Sequence, residues 1–263
     1  MNNEQSITLL RQTKRALAEA FTDVGMQGVT EHSRAAEFGK RIKWAAGLLD
    51  ITLACQRVSD GSHWYFTESE WDSLTNANKQ LFLMRGLRVR ALGHSFVLAP
   101  ADVKSAEGES TMSWGNATAD IPDLDNRGTG ELYNSFHGAE NTQLILAAVK
   151  NDSLPAFTSA PAAQQASAYH SYCREDGDAL DDESDWHLPG LGVLVVCYRW
   201  RTEINAAFNR FWGADAVLKT ADYWSSDELD STSKWCMSVS SGVITVDNAA
   251  TGKKYVRPVA DEV

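Results

Sequence analysis

The chain has 263 residues, of which 43% are hydrophobic and 22% are charged, the balance of a globular protein. Its formal net charge of -11 would repel a polyanion, so nucleic acid and anionic lipid are poor partner candidates. No apolar run approaches bilayer length, and the first six residues do not begin a secretory signal. We therefore expect no membrane insertion, and a cytoplasmic location at synthesis.

The first predicted element is a helical hairpin over residues 1–49. Apolar residues at Ile7, Leu10, Leu17 and Phe21 are spaced by three, seven and four positions, which places them on one face of a helix. Two glycines then interrupt the pattern before a second helical spacing begins. Because two short helices bury little surface alone, the apolar stripe packs either on the main domain or on copies of itself in a homo-oligomer.

Short β-favouring segments follow the hairpin. Four strands are predicted, in the segments 51–55, 63–66, 87–91 and 95–99. Residues 101–185 are rich in Gly, Ser, Asn, Asp and Pro, with helical patterns at 139–149 and 162–173, which indicates packed and structured loops. One further amphipathic helix is predicted between residues 190 and 211, and Gly213 ends it.

The segment from Tyr223 to Val259 returns to strand-like patterning. Trp235, Met237 and Val239 are apolar at every second position, which predicts a strand with one buried and one exposed face. Ser241-Gly242 is typical of a hairpin turn, and two apolar residues after it resume the inward series. The pattern therefore predicts a β-hairpin with a polar outer face.

Short motifs stand in a fixed order through the last third of the chain. They are Asp185-Trp186-His187-Leu188-Pro189, the helix end 203–207, the segment Tyr223-Trp224-Ser225-Ser226-Asp227-Glu228, Trp235, Ser241-Gly242 and Val256-Arg257-Pro258-Val259, with weaker similarity at 95–100 and 112–115. Together they resemble the variable proteins of diversity-generating retroelements. The resemblance implies an α+β, C-type-lectin-like ligand-binding domain over residues 50–263, with a variable region at about 223–259, preceded by the hairpin.

The resemblance also implies that adenine-directed mutagenic reverse transcription rewrites the outward residues of the variable region. These positions are Leu229, Asp230, Ser231, Thr232, Ser233, Cys236, Ser238, Ser240, Val243, Thr245, Asp247 and Asn248. All twelve can arise from AAC or AAT codons by changes at adenine, which ordinary composition would give about one time in twenty. Exposed strands rich in Ser and Thr are also ordinary solvated surfaces, so each position alone has a structural interpretation.

The function implied is recognition of a protein or glycan on a target cell surface, without enzymatic activity. Phage receptor-binding proteins are the best-known members of this family, so the resemblance implies a virion-associated homo-oligomer, with a trimer favoured. Two alternatives stay open. One is an oxidase similar to formylglycine-generating enzymes, which share the fold and use cysteines, with Cys236 as the nearest candidate. The other is a purely structural virion component.

Other candidate chemistry in the sequence is weaker. The acidic residues Asp176, Asp178, Asp181, Asp182, Glu183 and Asp185 offer the oxygen ligands that calcium prefers, but they lack EF-hand spacing, so a solvated loop is the favoured interpretation. Four scattered cysteines predict free thiols, and six distant histidines form no catalytic motif. His187 is interpreted as a packed structural residue, and Trp186, Trp224 and Trp235 as core anchors.

Overall fold

Two antiparallel β-sheets and a set of helices make up the part of the chain that the structure describes. The computed structural model describes residues 49–124, 135–171 and 185–262, and the residues from Leu49 onward belong to one unit. The helical hairpin predicted for residues 1–49 lies outside the described residues, apart from Leu49 itself. The mixed α+β fold class expected from the sequence is confirmed at this level.

The described residues contain nine strands and six α-helices. The strands are β1 (Asp50–Arg57), β2 (His63–Phe66), β3 (Phe82–Ala91), β4 (His94–Leu98), β5 (Trp186–His187), β6 (Asp222–Glu228), β7 (Ser233–Ser238), β8 (Ile244–Asn248) and β9 (Val259–Asp261). The helices are α1 (Glu68–Ser73), α2 (Asn76–Lys79), α3 (Gly138–Ala148), α4 (Pro161–Ser167), α5 (Leu191–Arg199) and α6 (Arg201–Trp212), and a 3-10 turn follows at Ala214–Ala216.

The larger sheet has the strand order β2-β1-β3-β4-β9-β5, and the smaller sheet has the order β6-β7-β8. Strands β3 and β4 approach each other closely at Gly86, where a Cβ atom would lie 2.2 Å from the carbonyl oxygen of Leu98. Only a residue without a side chain fits there. In the smaller sheet, β7 lies between its two neighbours, so β8 is an edge strand.

The helices agree only in part with the sequence patterns, and the short helices α1 and α2 were not predicted. Helix α3 matches the predicted segment 139–149 closely, whereas α4 ends at Ser167, before the predicted end. The single helix predicted between residues 190 and 211 is wrong, because the chain turns at Trp200 (φ -119°, ψ 31°) and forms α5 and α6. Gly213, with φ +87°, ends α6 as expected. Within the described part of the chain, no helix is both long and apolar enough to cross a bilayer.

Two apolar cores lie on opposite sides of the smaller sheet. The first core joins one face of the larger sheet to α5, α6 and the smaller sheet, and includes Leu87, Phe96, Leu191, Phe208, Tyr223, Trp235 and Met237. The second core includes Met112, Trp114, Ile121, Ile145, Phe157, Trp224, Cys236 and Val256. Strand β7 therefore contributes side chains to both cores, and its central residues have no solvent-facing side.

Candidate binding surface

The two aromatic residues that begin the motif 223–228 are fixed in opposite cores. Trp224 is fully buried, and its indole Nε1 donates a hydrogen bond to the carbonyl oxygen of Met112 at 2.8 Å. The Tyr223 hydroxyl accepts from the Lys219 amide at 2.8 Å and donates to Asp102 at 3.2 Å. Trp235 is only 5% exposed. These contacts confirm that Trp224 and Trp235 are core anchors.

The polar residues of the same motif are buried and join β6 to the helices. Asp227 accepts a hydrogen bond from the Leu191 amide at 2.7 Å and another from the Ser135 hydroxyl. A carboxylate at this place suits the positive N-terminus of α5. The Ser226 hydroxyl accepts from Asn141 of α3 at 3.1 Å. The polar half of the motif is therefore structural, because each of these side chains holds a neighbouring element.

A buried ion pair closes the base of the turn between β6 and β7. The Nζ of Lys234 donates to the Glu228 carboxylate at 2.5 Å and to the carbonyl oxygens of Ala119 and Asp230, each at 2.9 Å. Both side chains are fully buried, and the Trp114 ring lies 4.9 Å from the ammonium group. Burial raises the pKa of Glu228 to about 7, although the Lys234 ammonium acts in the opposite direction.

Arg257, in the motif 256–259 that follows β8, forms several buried hydrogen bonds. Its Nε donates to Asp102 at 2.6 Å, and its Nη1 donates to the carbonyl oxygens of Ala99 at 2.9 Å and Ala216 at 3.1 Å. The side chain is 1% exposed. The motif 256–259 is thus a structural one, since its arginine ties the chain beyond β8 to the end of β4 and to the 3-10 turn.

The β6–β7 turn, residues 229–233, presents the first group of predicted variable positions. The Asp230 carboxylate accepts hydrogen bonds from the amides of Thr232 and Ser233, both at 2.8 Å, and these bonds lower its pKa. Asp230, Ser231 and Thr232 are exposed, and Ser233 is half-buried. Leu229 is also half-buried and packs against the first core, so its side chain is less available than the sequence pattern predicts.

The β7–β8 turn and the β8 edge present the second group. Gly242 has φ +76° and its amide donates to the Ser238 carbonyl oxygen at 2.8 Å, which confirms the predicted hairpin turn. Val243 is 58% exposed, and Thr245 is exposed two residues further along the edge. Ser238 and Ser240 are half-buried, and their hydroxyls lie 3.0 Å apart.

The predicted exposure of Cys236 is wrong, because this side chain is 0% exposed and lies in the second core. Alternation correctly places it on the face opposite Trp235 and Met237, but segments 112–124 and 249–256 cover that face. Burial raises the pKa of the Cys236 thiol to about 12.

Two further predicted positions lie at the end of β8 and have structural partners. Asp247 is half-buried and accepts a hydrogen bond from Lys254 at 2.6 Å, which is the first cause of its lowered pKa. The Asn248 side chain accepts from the amides of Ala250 and Thr251, at 2.9 and 3.1 Å. The twelve predicted positions therefore do not form one exposed patch. The exposed ones lie in the β6–β7 turn and along the turn and edge of β8.

Two of the weaker candidate residues, Asp185 and His187, are described, and both have structural partners. Asp185 pairs with Arg85 at 3.2 Å, and the acidic residues 176–183 lie outside the described residues, as does Cys173. His187 is buried, as expected, with Nδ1 2.9 Å from the Asp185 carbonyl oxygen, and burial lowers its pKa. In the described ranges, no three His, Cys, Asp or Glu residues are grouped to hold a metal ion.

Comparison with solved structures gives a distant structural likeness. No protein-family model matches the chain, and no curated protein matches it. Among solved structures, a fimbrial protein from Bacteroides ovatus ATCC 8483 aligns with 64% of this chain at 15% sequence identity and a TM-score of 0.45. The alignment covers 36% of that protein, so this chain corresponds to well under half of its length.

Proposed function

We propose that this chain is a non-enzymatic ligand-binding protein that recognises a protein or glycan on a target cell surface. In this proposal residues 50–263 form a C-type-lectin-like domain of the retroelement variable-protein type. The observation that carries the proposal is that buried motif residues and exposed predicted variable positions are separate within residues 223–259. The motif residues Tyr223–Glu228, Trp235 and Arg257 are buried and bonded, while the two turns and the β8 edge between them expose predicted variable positions.

Such a separation suits a surface that must change while the fold stays constant. Substitution of exposed side chains usually alters stability by less than about 0.5 kcal/mol. A rigid support also lowers the entropic cost of binding, because the contact residues are already ordered. Buried side chains hold both ends of the β6–β7 hairpin, and β8 pairs with β7, so the backbone on both sides of the exposed side chains is fixed.

The exposed side chains form a mainly polar contact surface, in which Asp230 carries the one negative charge among the predicted variable positions that are exposed. Ser231, Thr232 and Thr245 offer hydroxyl groups that both donate and accept hydrogen bonds, and Val243 adds an exposed apolar contact. Small hydroxyl-bearing residues supply adaptable hydrogen bonding in the binding loops of recognition proteins. This chemistry supports a polar surface, such as a glycan or a protein, as the ligand.

The oxidase alternative draws no support from its candidate residue. A reactive cysteine needs a lowered pKa and access to solvent, because the thiolate is the nucleophile and the metal ligand. Cys236 has the opposite properties, since it is buried and its pKa is raised to about 12.

The proposal includes a homo-oligomer, with a trimer favoured, that is held partly by the apolar stripe of residues 7–21 and is carried on a virion. These parts rest on the sequence pattern alone. Light scattering should give a mass above that of one chain at micromolar concentration, and a monomer would contradict the oligomer.

The test of the recognition surface is a fourfold alanine variant of exposed residues, compared with a matched control. The test variant changes Ser231, Thr232, Val243 and Thr245, and the control changes Val58, Ser69, Ser110 and Ser153, all outside the two turns and the β8 edge. Binding to a printed glycan array and to whole bacterial cells is measured beside the melting temperature. Loss of central contacts should weaken binding by about 2 kcal/mol in the test variant only, with both melting temperatures unchanged. Equal binding by both variants would contradict the proposal.

A further inference from the structure

Lys234 lies directly beneath the β6–β7 turn. Its side chain is fully buried, so it does not itself contact a ligand. We infer that Lys234 is the positioning residue of this turn, whose exposed side chains Ser231 and Thr232 serve recognition. Its ammonium group ties the backbone at Asp230 to the segment that contains Ala119. This inference rests on the proposed function for the role of the turn, but the positioning itself is a property of the fold.

The hydrogen bonds of the ammonium group are complete. A lysine ammonium has three N–H donors, and Lys234 has three acceptors: Glu228 at 2.5 Å, Ala119 at 2.9 Å and Asp230 at 2.9 Å. The three acceptors come from three different places: β6, the loop that covers the second core, and the turn itself. A shift of the turn would therefore break a bond to a buried charge, which is costly.

The turn closes on itself by other bonds, which do not orient it on the body of the protein. The Asp230 carboxylate binds the amides of Thr232 and Ser233, and the Leu229 amide donates to the Ser233 carbonyl oxygen at 3.0 Å. Between residues that the structure describes, two hydrogen bonds lead outward from the turn: the bond from Lys234 to Asp230, and a backbone bond from the Ala249 amide to Thr232 at 3.0 Å. Lys234 therefore supplies the hydrogen-bonded attachment at the β6 side of the turn, where Leu229 adds an apolar contact with the first core.

Stability alone does not account for a lysine at this place. A buried ion pair is often no more stabilising than two apolar side chains of similar size. Such an apolar pair would fill the same space between Trp114 and β6, but it could not donate to the carbonyl oxygens of Ala119 and Asp230. The property that only the ammonium group supplies is the link between those two backbone segments.

The experiment separates positioning from stability with a double substitution, Lys234→Met with Glu228→Leu. Lys234→Met alone leaves a buried carboxylate unpaired and should lower the melting temperature by about 10 °C, whereas the double variant should recover most of that loss. Glu228→Gln is the matched control, since it removes the opposite charge, and with it some stability, but keeps an acceptor for Lys234 and leaves the bond to Asp230. Amide hydrogen exchange at residues 231–233 is measured by NMR without ligand, and binding is measured on the glycan array and whole bacterial cells.

We expect exchange at residues 231–233 to be about tenfold faster in the double variant, and binding to be weaker by about the same factor, with both unchanged in Glu228→Gln. Exchange at the wild-type rate in the double variant would overturn the positioning role. Faster exchange with unchanged binding would overturn the recognition role of the turn, and with it that part of the proposed function. If the double variant does not fold, Lys234→Arg keeps the charge but not the tripod of donors, and the same two measurements decide the question.

Discussion

Neighbouring residues on β7 show what alternation does and does not determine. Trp235 and Cys236 point to opposite faces of the strand, as the pattern predicts, yet both are buried because each face meets its own core. A polar or small residue between large apolar ones therefore does not by itself mark an exposed face. Exposure depends on what packs above it, which is a tertiary property.

Trp235→Ala should lower the free energy of unfolding by about 3 to 5 kcal/mol, because it removes a large ring from the first core. Urea denaturation measures the change. Val243→Ala, at a side chain that is 58% exposed in the next turn, serves as the control and should stay within about 0.5 kcal/mol of the wild type. A loss at Trp235 as small as the control's would place the ring at the surface.

The stability of the wild type relative to Glu228→Gln should fall as the pH rises from 4.5 to about 7. The unfolded chain releases the Glu228 proton near the ordinary pKa of 4.5, whereas the folded protein retains it until about pH 7. A raised carboxyl pKa favours the folded state most below pH 4.5, and this contribution is lost as the pH rises. Urea denaturation of both proteins at pH 5, 6, 7 and 8 measures the difference. A difference that grows with pH would show that attraction to Lys234 dominates over burial.

Whole helices and strands were predicted best where the residue pattern within the segment itself determines the structure. The segment 63–66 is a strand with the predicted bounds, and residues 139–149 correspond to α3 within one residue. The break at Trp200 was missed, because the apolar spacing continues through it and no glycine or proline marks the turn. Both α5 and α6 contribute buried side chains to the first core, so the apolar spacing continues across the turn and does not mark it.

The candidate surface was predicted less completely, because burial there depends on segments that are distant in sequence. The turn residues Asp230–Thr232 and the edge residues Val243 and Thr245 are exposed as expected, since turns and edge strands lie at the surface by their local nature. Cys236 and Lys234 depend on the covering segment 112–124, which is far away in sequence. A lysine in a strand gives no signal of burial, so the ion pair with Glu228 could not be anticipated.

Gly86→Ala should separate β3 from β4 and lower the free energy of unfolding by about 2 kcal/mol or more. The added Cβ would lie 2.2 Å from a backbone carbonyl oxygen, and backbone cannot yield as a flexible side chain does. Gly93→Asn is the control in the turn between the same strands, since its Cβ meets nothing within 4 Å and asparagine tolerates the positive φ of 84°. Thermal unfolding followed by circular dichroism compares the two. Equal melting temperatures would contradict the close approach.

Across the whole described unit, both cores depend on one shared strand. Trp235 and Met237 belong to the first core, and Cys236, between them, belongs to the second. Neither core can lose its packing without exposing β7 to water on one side. The two cores are thus expected to melt as one cooperative unit in the chain from Leu49 onward.

Ile145→Ala tests this expectation because Ile145 is fully buried and belongs to the second core. The substitution should cost about 2 to 5 kcal/mol and should accelerate amide exchange in β3, which packs in the first core, as much as in α3. Local acceleration confined to α3 would show that the cores open separately.

A shared strand also has an evolutionary consequence. If the cores melt together, a partly folded molecule that still displays the hairpin is not an available state, and each sequence variant presents its surface fully or not at all. If the exposed positions vary as proposed, selection at the turns and the β8 edge would act on contact chemistry alone, whereas a change among the buried residues of β7, from Lys234 to Met237, would prevent folding.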